Sequence, residues 1–338
     1  MRLTKKLLLV LAVLSMFSGL ALADGPVVLK FATIEPPQSD NNKNVWAPLF
    51  DKINKEGEGI LKIETFAGGT LGRNPMQQIK ILMDGVTDMV QIINAYHPGQ
   101  LVDDPIIMTP FTANNCFECS MSFHYMQEKQ MLRGYDDLVV LGQVCLGIYG
   151  IHSDYPIKVP ADLKGKKLRT AGKLFHALAE NLGATPVAMP VTKVAESLSR
   201  GVVDGTLQDW TGMAVFRIND VAKYHVLIPF GTNPLTVAMT KKKYNSLPPK
   251  AKAILDKYIG GYFTRFWAKR LYERVNEIQD KISKDPKHTL YTPNAEELKQ
   301  WKAATDPVIA SWNKENDRWD ELLKTYKAGL LKARTEKP

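Results

Sequence analysis

Cysteine is scarce in this chain, whose 338 residues include three: Cys116, Cys119 and Cys145. So few cysteines exclude the disulfide framework of small secreted domains, and a chain of this length has enough apolar residues to form a core without one. Cys116 and Cys119 have the C-x-x-C spacing of some redox and metal sites, but structural zinc normally takes four Cys or His ligands. We therefore expect no metal. A local disulfide and two partly buried thiols are the alternatives for this pair.

Local catalytic motifs are also missing. The six histidines form no H-E-x-x-H pair, and the chain has no G-x-S-x-G, no G-x-x-x-x-G-K-S/T and no G-x-G-x-x-G. A catalytic triad can be assembled from residues that are far apart in sequence. These absences therefore make an enzyme less expected without excluding one, and we predict no cofactor.

Neither sign of charge dominates strongly: 44 Lys and Arg stand against 35 Asp and Glu, a formal net charge of +9. The basic residues are scattered, apart from short runs at 164–169 and 241–243, and lack the interleaved aromatics of a nucleic-acid-binding stripe. We therefore expect no nucleic acid partner. A mild positive field suits an anionic small molecule, with solubility alone as the alternative explanation of the charge.

Long apolar runs are absent except near the N-terminus. Arg2, Lys5 and Lys6 precede an uncharged run, residues 7–22, that ends in small residues. This order is typical of a secretory signal peptide and predicts cleavage after Ala23. The run is shorter than the ~20 apolar residues of a spanning helix, and no cysteine follows it that would carry a lipid anchor. Cleavage would leave 315 residues with a formal charge of +6, a length that suits two domains.

What the chain does contain is a short unit that occurs twice, at residues 75–88 and 191–204. Each copy has an amphipathic segment at helical spacing followed by Gly-Val-x-Asp, with the glycine where a helix takes a left-handed C-terminal residue. The two glycines, Gly85 and Gly201, are 116 positions apart. The unit predicts two similar α/β lobes. A cleft between two such lobes is a common place for a small ligand.

Strand-like and helix-like segments alternate up to about residue 240, which predicts an α/β layer fold with parallel strands. Strands are predicted at 27–32, 60–66, 139–142, 148–151 and 167–170, and a helix at 44–54. Beyond Pro248 and Pro249 the pattern is helical. It predicts one helix over 251–283 that tolerates Gly260 and Gly261, and further helix over 295–333 interrupted at Pro307. No flexible linker is present, so we expect crossing strands and helices to join the lobes.

Five segments, in order along the chain, resemble the extracytoplasmic solute receptors of tripartite ATP-independent periplasmic (TRAP) transporters, of the C4-dicarboxylate-receptor type. They are residues 69–73, 83–88, 160–169, 182–190 and 201–205. The resemblance implies a two-lobed periplasmic binding protein fold, with a cleft between the lobes and a long helix spanning both. It also implies closure on a carboxylate and delivery to sodium-driven membrane subunits. We expect lobe I to hold residues 24–147 and 235–273, and lobe II residues 148–234 and 274–338.

The resemblance further implies that an arginine pairs with the ligand carboxylate, and this arginine matches Arg169. A guanidinium group is a rigid fork that can bind a carboxylate through two hydrogen bonds. Tyr149 stands about where many members have a second arginine. We therefore expect a ligand with one carboxylate, with Tyr149 donating a hydrogen bond to it or packing on it. Tyr149 as a core residue is the alternative.

The remaining candidates lie at predicted strand ends that face the cleft. Gln208 matches an asparagine-like position of the family and could bond a ligand oxygen. Trp210 is either a wall of the pocket or a core residue. The others are Glu35, Asn94 and Tyr96 from the first lobe and Asn233 from the second. If Trp46, Trp210 and Tyr149 line the pocket, an aromatic acid becomes a ligand worth testing.

The function predicted is a periplasmic receptor that captures an organic monocarboxylate and delivers it to TRAP membrane subunits. A periplasmic enzyme that acts on a small acid in the same cleft is one alternative. A ligand-sensing partner of a signalling protein is the other.

Overall fold

The computed structural model of the chain describes residues 25–336 and 338. The predicted signal peptide, residues 1–23, and its cleavage after Ala23 lie outside the described residues. The strands are β1 (Val27–Ala32), β2 (Leu61–Phe66), β3 (Met89–Ile93), β4 (Leu138–Cys145), β5 (Gly150–Ser153), β6 (Lys167–Thr170), β7 (Thr185–Ala188), β8 (Gly205–Gln208), β9 (Tyr224–Val226), β10 (Pro234–Thr240) and β11 (Thr289–Tyr291). The α-helices are α1 (Ala47–Glu56), α2 (Gln78–Met83), α3 (Cys116–Glu128), α4 (Lys173–Asn181), α5 (Val194–Ser199), α6 (Trp210–Val215), α7 (Lys241–Ser246), α8 (Pro249–Asp256), α9 (Gly261–Ser283), α10 (Ala295–Glu315) and α11 (Trp319–Ala333).

The strands form two sheets, one for each predicted lobe. The first has the order β2-β1-β3-β10-β4 and the second the order β11-β9-β5-β8-β6-β7. Strand β1 runs parallel to β2 and β3, and β6 runs parallel to β7 and β8. This arrangement confirms the α/β fold and its parallel strands. The predicted strand at 148–151 begins two residues later, at Gly150.

Each sheet also contains one strand that is antiparallel to both of its neighbours. In the first sheet this strand is β10, and in the second it is β5. The chain passes from β4 in the first sheet to β5 in the second, and returns from β9 to β10. The sheets are therefore connected by two short crossings, as the absence of a flexible linker predicts.

The duplicated unit folds the same way in both sheets. Gly85 has φ 74° and Gly201 has φ 66°, so both adopt the left-handed conformation that glycine tolerates best. Val86 N donates to Ile81 O at 3.0 Å, and Val202 N donates to Ser197 O at 2.9 Å. These are the long hydrogen bonds of a Schellman motif, which ends a helix and reverses the chain. In each copy a parallel strand follows, β3 or β8.

The long helix α9 packs against parts of both lobes. Its buried side chains recur every three or four residues, from Phe263 to Ile282, and it contacts α3 and β4 on one side and α6 on the other. Gly142 on β4 permits the close approach, because a Cβ there would lie 2.6 Å from Phe263 Cγ. One helix thus packs against elements of the two lobes, as the resemblance implies.

Two predicted helix boundaries are wrong. The helix predicted over 251–283 is broken into α8 and α9 at Gly260, whose φ of 65° places it outside the helical region. The interruption predicted at Pro307 does not occur, because α10 continues to Glu315. Trp301, Thr305 and Val308 are buried on either side of the proline, so tertiary packing holds the helix across it.

The C-terminal helix α11 packs against α3. Arg334 Nε donates to Glu118 Oε2 at 2.9 Å, and the Tyr326 hydroxyl lies 3.1 Å from Cys119 Sγ. Because α3 packs on β4 of the first sheet, this position does not fit the predicted assignment of all of residues 274–338 to lobe II. The other predicted lobe boundaries stay predictions.

The cysteines pair differently from either alternative considered for them. Cys119 forms a disulfide with Cys145, with the two Cα atoms 5.8 Å apart, while Cys116 is a buried free thiol. Helix α3 packs on β4, and this packing brings Cys119 to the end of that strand. Burial raises the pKa of Cys116 to about 12, which keeps this thiol protonated and unreactive.

Candidate ligand-binding site

A cavity lies where residues from both sheets meet. Its polar lining comes from the carboxyl ends of β1, β3, β6 and β8 and from the start of β10. Ligands of α/β proteins bind in crevices at the carboxyl ends of parallel strands. Much of the remaining wall is apolar and is formed by Ile34, Ile93, Leu146, Val191, Phe216 and Leu235.

Arg169 lies on β6 and is 1% exposed. Its Nε donates to Met189 O at 3.1 Å, and its Nη1 donates to Leu207 O at 3.2 Å and to Gln208 Oε1 at 2.7 Å. Its Nη2 donates to the Tyr96 hydroxyl at 3.1 Å. An arginine has five N–H groups, so one Nη2 N–H has no partner among the described residues. The guanidinium is fixed in place by protein and still has a donor to offer.

Tyr96 follows β3 of the first sheet and reaches across to the second. Its hydroxyl oxygen accepts from Arg169 Nη2 and also from Val191 N at 2.8 Å. Since both contacts use the oxygen as acceptor, the hydroxyl hydrogen is free to point elsewhere. Tyr96 O–H and the remaining Arg169 N–H are neighbouring donors that line one cavity. Together they can bind the two oxygens of a carboxylate.

Gln208 connects the arginine to a buried carboxylate. Its Oε1 accepts from Arg169, and its Nε2 donates to Asp209 Oδ2 at 2.8 Å. Asp209 Oδ1 accepts from Thr211 N and Gly212 N at the start of α6, at 2.8 and 3.1 Å. Burial raises the pKa of Asp209, while these hydrogen bonds oppose the shift. Gln208 is thereby oriented from both sides, and it in turn orients Arg169.

The close contact between Gln208 and α6 requires a glycine. A Cβ at position 212 would lie 2.1 Å from Gln208 Nε2, which no side chain could occupy without displacing the amide. Gly212 lines the same cavity. The glycine at position 212 therefore helps to determine where the Gln208 side chain lies in the site.

Glu35 lines the cavity from the first lobe, directly after β1, and is 7% exposed. Its Oε1 accepts from Gln91 Nε2 at 2.7 Å and from Asn41 Nδ2 at 2.8 Å. Its Oε2 is buried without a partner in the described residues. Burial raises the pKa of Glu35, and the neighbouring Gln91, Asn41 and Ser39 side chains partly oppose the shift.

Tyr149 and Asn233 lie together on the two crossings between the sheets. Asn233 Nδ2 donates to the Tyr149 hydroxyl at 2.9 Å, and the Tyr149 ring packs 4.8 Å from that of Phe175. Both residues line the cavity, and Tyr149 is 2% exposed. Burial and nearby Asp209 raise the pKa of Tyr149, so its hydroxyl keeps its hydrogen.

Three predicted candidates lie elsewhere. Asn94 is buried beside the cavity, where its amide donates to Asp104 and Thr236, and it does not belong to the cavity lining. Trp210 packs against the rings of His152 and His225 in the second lobe. Trp46 packs among aromatic rings of the first core. The argument for an aromatic ligand from these two tryptophans therefore fails, because both rings are used in packing.

The sequence reasoning missed Gln91 and Asp209. Gln91 is the one polar residue of β3, whose sequence is Met-Val-Gln-Ile-Ile. A polar side chain in an otherwise apolar strand is a usable signal, because burial demands a hydrogen-bond partner. Asp209 directly follows Gln208, and an Asp before a helix is typical of an N-cap.

No helix of residues 25–336 is long and apolar enough to cross a membrane. Within the same range, no group of three or more His, Cys, Asp or Glu side chains is placed to hold a metal ion.

Comparison with known proteins gives a consistent result. Residues 31–316 match the family model described as bacterial extracellular solute-binding protein, family 7. The C4-dicarboxylate-binding periplasmic protein DctP of Rhodobacter capsulatus is 24% identical over 296 residues, which cover 85% of this chain and 86% of that protein.

Two solved structures are similar over almost their whole length. One is a marine metagenome TRAP solute-binding protein specific for aromatic acid ligands, in complex with 3-hydroxybenzoate. It is 29% identical, has a TM-score of 0.85, and the match covers 92% of this chain and 99% of that one. The other is a TRAP solute-binding protein from Rhodoferax ferrireducens in complex with benzoate. It is 28% identical, has a TM-score of 0.84, and the match covers 91% and 99%.

Proposed function

Because this chain belongs to family 7 of the bacterial extracellular solute-binding proteins, the receptors of TRAP transporters, we propose that it captures an organic monocarboxylate in the periplasm. Its two lobes close on the ligand, and the closed receptor delivers it to sodium-coupled TRAP membrane subunits. The ligand leaves unchanged, so the protein is a receptor and not an enzyme. A signal peptide cleaved after Ala23 takes the chain to the periplasm.

One observation carries the proposal: a buried arginine and a tyrosine from opposite lobes offer neighbouring donors in one cavity. The Arg169 guanidinium and the Tyr96 hydroxyl are held 3.1 Å apart. A carboxylate bound to both would link the two lobes directly. Binding then favours the closed arrangement by the difference in affinity between closed and open states.

Buried acidic groups argue for one carboxylate. Glu35 and Asp209 line the cavity together with Arg169, so a second ligand carboxylate would lie among like charges with no second arginine to pair with it. Like charges in a site of low dielectric repel strongly. The two similar structures contain benzoate and 3-hydroxybenzoate, which supports a monocarboxylate with an apolar body.

The lobe boundaries are also proposed. We place residues 24–147, 235–273 and α11 in lobe I, because α11 packs on α3. Lobe II then holds residues 148–234 and the segment from 274 to the end of α10. The two crossings that lead into β5 and β10 form the hinge.

The test is a thermal-shift screen of the chain without residues 1–23, unfolded and refolded to remove ligand carried over from expression. The panel holds benzoate, phenylacetate, aliphatic monocarboxylates and succinate. A ligand at a hundredfold excess over Kd adds ~2.7 kcal/mol of stability, enough for a rise of several degrees in Tm. We expect monocarboxylates to raise Tm more than succinate, and the recovered ligand to be chemically unchanged. Succinate binding more tightly than every monocarboxylate would contradict the charge argument.

The matched variants are Arg169→Met and Arg200→Met. Arg169→Met leaves the ligand carboxylate without its buried partner, which costs roughly 2–5 kcal/mol of binding free energy. The same variant also removes the donor to two backbone carbonyl oxygens, which lowers the Tm of the ligand-free protein. The quantity to compare is therefore the rise in Tm that the ligand causes. Arg200 is exposed and pairs with Glu196 on the surface, so its replacement should leave the shift unchanged. An undiminished shift in Arg169→Met would sink the assignment.

A further inference from the structure

The cavity has unused hydrogen-bonding capacity of opposite kinds, donors in one part and an acceptor in another. Arg169 of the second lobe has one N–H, and Tyr96 of the first lobe, which reaches across to Arg169, has one O–H, without a partner among the described residues. From the first lobe, the cavity is lined by Glu35, whose Oε2 is a buried acceptor without a partner among residues 25–336. Buried polar atoms in native proteins are normally paired, so each of these groups needs a partner.

Glu35 cannot satisfy Oε2 by rotating. Its Oε1 holds two amide donors, Gln91 Nε2 and Asn41 Nδ2. Gln91 is fixed because its Oε1 accepts from the Thr33 hydroxyl at 2.5 Å, and Asn41 is fixed because its Oδ1 accepts from Trp267 Nε1 at 3.1 Å. The carboxyl group is therefore oriented by a buried network that reaches into the core of the first lobe. Such a network can select a ligand group by position.

We infer that the ligand is a hydroxylated monocarboxylate, and that its hydroxyl group donates a hydrogen bond to Glu35 Oε2 while its carboxylate binds Arg169 and Tyr96. Glu35 is thus a specificity-determining residue. This inference rests on the proposed function and narrows it to a class of acid. The apolar side chains that line the same cavity, among them Ile93, Leu146 and Phe216, fit an apolar carbon body such as an aromatic ring.

A hydroxyl group fits this acceptor better than an ammonium group does. An ammonium has three N–H donors, and a hydroxyl has one. Besides Glu35 Oε2, the lining has one other unpartnered buried acceptor in the described residues, Asn233 Oδ1. An ammonium in this position would therefore keep at least one donor unpaired in an apolar cavity, which is unfavourable.

The experiment measures Kd by titration calorimetry on refolded wild-type protein with matched acids. The series holds benzoate, its 2-, 3- and 4-hydroxy forms, their methyl ethers and their amino analogues in aminomethyl form, which are ammonium cations near pH 7, with the same series for phenylacetate. We expect at least one hydroxylated acid to bind about tenfold or more tightly than its parent, and its methyl ether to lose that gain. The ether retains the oxygen but has no hydrogen to donate.

The variant is Glu35→Gln, with Glu64→Gln on β2 as its control, since the Glu64 side chain is 40% exposed and pairs with Lys62. In Glu35→Gln an NH₂ group takes the place of Oε2, so the ratio of affinities for the hydroxylated acid and its parent should fall to about one. The control should keep the wild-type ratio. If Glu35→Gln does not fold, the ethers and amino analogues on wild-type protein still decide the question.

The outcomes separate the two proposals. Failure of every monocarboxylate to bind wild-type protein would overturn the proposed function. Binding of the parent acids with no gain from a hydroxyl group would overturn the inference alone. So would a methyl ether that binds as tightly as the hydroxyl, an amino analogue that binds more tightly, or a gain that persists in Glu35→Gln.

Discussion

Three histidines form a hydrogen-bonded line from the ligand-binding site to the surface of the second lobe. His152 Nδ1 lies 2.8 Å from His225 Nδ1, and His225 Nε2 lies 2.8 Å from His288 Nδ1. At the inner end His152 Nε2 lies 3.0 Å from the carbonyl oxygen of Gln208. Burial lowers the pKa of His152 to about 4 and that of His225 to about 2. Both rings are therefore neutral near pH 7, as alternating donors and acceptors require.

His152→Gln tests this line through the pH dependence of stability. A histidine whose folded pKa lies below its unfolded value of about 6.5 contributes stability above pH 6.5 that is lost as pH falls towards its folded pKa. For His152 the window runs from about 6.5 down to about 4. We expect the variant to melt below wild type at pH 7.5, and the difference in Tm to shrink between pH 6.5 and 4.5.

The difference between the two proteins is the informative quantity. Burial raises the pKa of Asp104 to about 7 and also raises that of Glu35 and Asp209. These carboxyl groups stabilise the fold at low pH and lose that contribution as pH rises, which opposes the histidines in both proteins. The contribution of these carboxyl groups therefore cancels in the difference between the Tm of wild type and the Tm of His152→Gln. A Tm difference that stays constant from pH 7.5 to 4.5 would mean that His152 does not titrate as described.

For individual residues, the sequence predicted which polar side chains line the site better than it predicted the hydrogen bonds between them. Arg169, Tyr96, Glu35, Gln208, Tyr149 and Asn233 all line the cavity, because polar groups at strand ends are brought to one edge by parallel pairing. Their partners could not be predicted. The acceptors for Arg169 come from segments up to 73 positions away, and no local pattern encodes which carbonyl or hydroxyl meets which N–H.

Among the elements, the duplicated Gly-Val-x-Asp units do more than end two helices. The terminal aspartate of each unit holds the neighbouring parallel strand by its backbone. Asp88 Oδ2 accepts from Lys30 N at 2.9 Å and Asp204 Oδ2 accepts from Lys167 N at 2.7 Å. The backbone N–H of each aspartate donates to the carbonyl of the same lysine. The unit therefore sets where β3 starts beside β1, and where β8 starts beside β6.

Asp88→Ala and Asp204→Ala should each lower the free energy of unfolding by roughly 1–3 kcal/mol, since each removes a charge-assisted hydrogen bond to a backbone N–H. Asp88 also pairs with Lys243 at 2.9 Å, so its replacement should cost at least as much. Denaturant titration with comparison of midpoints measures the loss.

Asp84→Ala is the matched control. Asp84 is exposed and pairs with Lys80 one turn away on the surface, an interaction that contributes little to stability. Equal losses for Asp84→Ala and Asp88→Ala would show that the position of the aspartate in the unit does not matter.

Element boundaries show where sequence patterns stop being sufficient. Periodicity found the strands β1 and β2 because their apolar residues are close together in the sequence. It failed at Gly260, where backbone conformation decides, and at Pro307, where packing of α10 on α4 outweighs an intrinsic helix breaker. In the amphipathic segment of the first duplicated unit, helical spacing also puts Met76 and Met83 on the apolar face, although they are 52% and 49% exposed.

For the molecule as a whole, two lobes, two strand crossings and one shared helix allow a hinge motion. A groove is lined by Met76 and Pro98 from the first lobe and by Lys173 and Glu180 from the second. Tyr96 lines both this groove and the ligand cavity. Opening of the lobes at this groove would give a ligand access to Arg169.

Spin labels at Met76→Cys and Glu180→Cys should report the closure. Both positions are exposed, and Cys116 is buried and out of reach of the reagent. The distances between the two labels are measured by electron paramagnetic resonance. We expect them to become shorter when a carboxylate ligand saturates the protein. A pair within lobe I, Met76→Cys with Lys55→Cys, should not change. An unaltered distribution for the first pair under saturation would contradict closure.

The sequence predicted the two-lobed architecture from one repeated unit and a family resemblance, and both sheets are present. It could not predict that α11 packs on the first lobe, because an amphipathic helix pattern states which face is buried and not against which partner.

The position of β10 in the first sheet also bears on how the chain folds. Asn94 beside β3 donates to Thr236 on β10, a contact between residues 142 positions apart. The middle of the first sheet is therefore completed only after the chain of the second lobe has been made. Such long loop closures are slow, because their entropy must be lost before the pairing stabilises anything. The first sheet accordingly cannot reach its native pairing during synthesis until β10, which ends at Thr240, has been made.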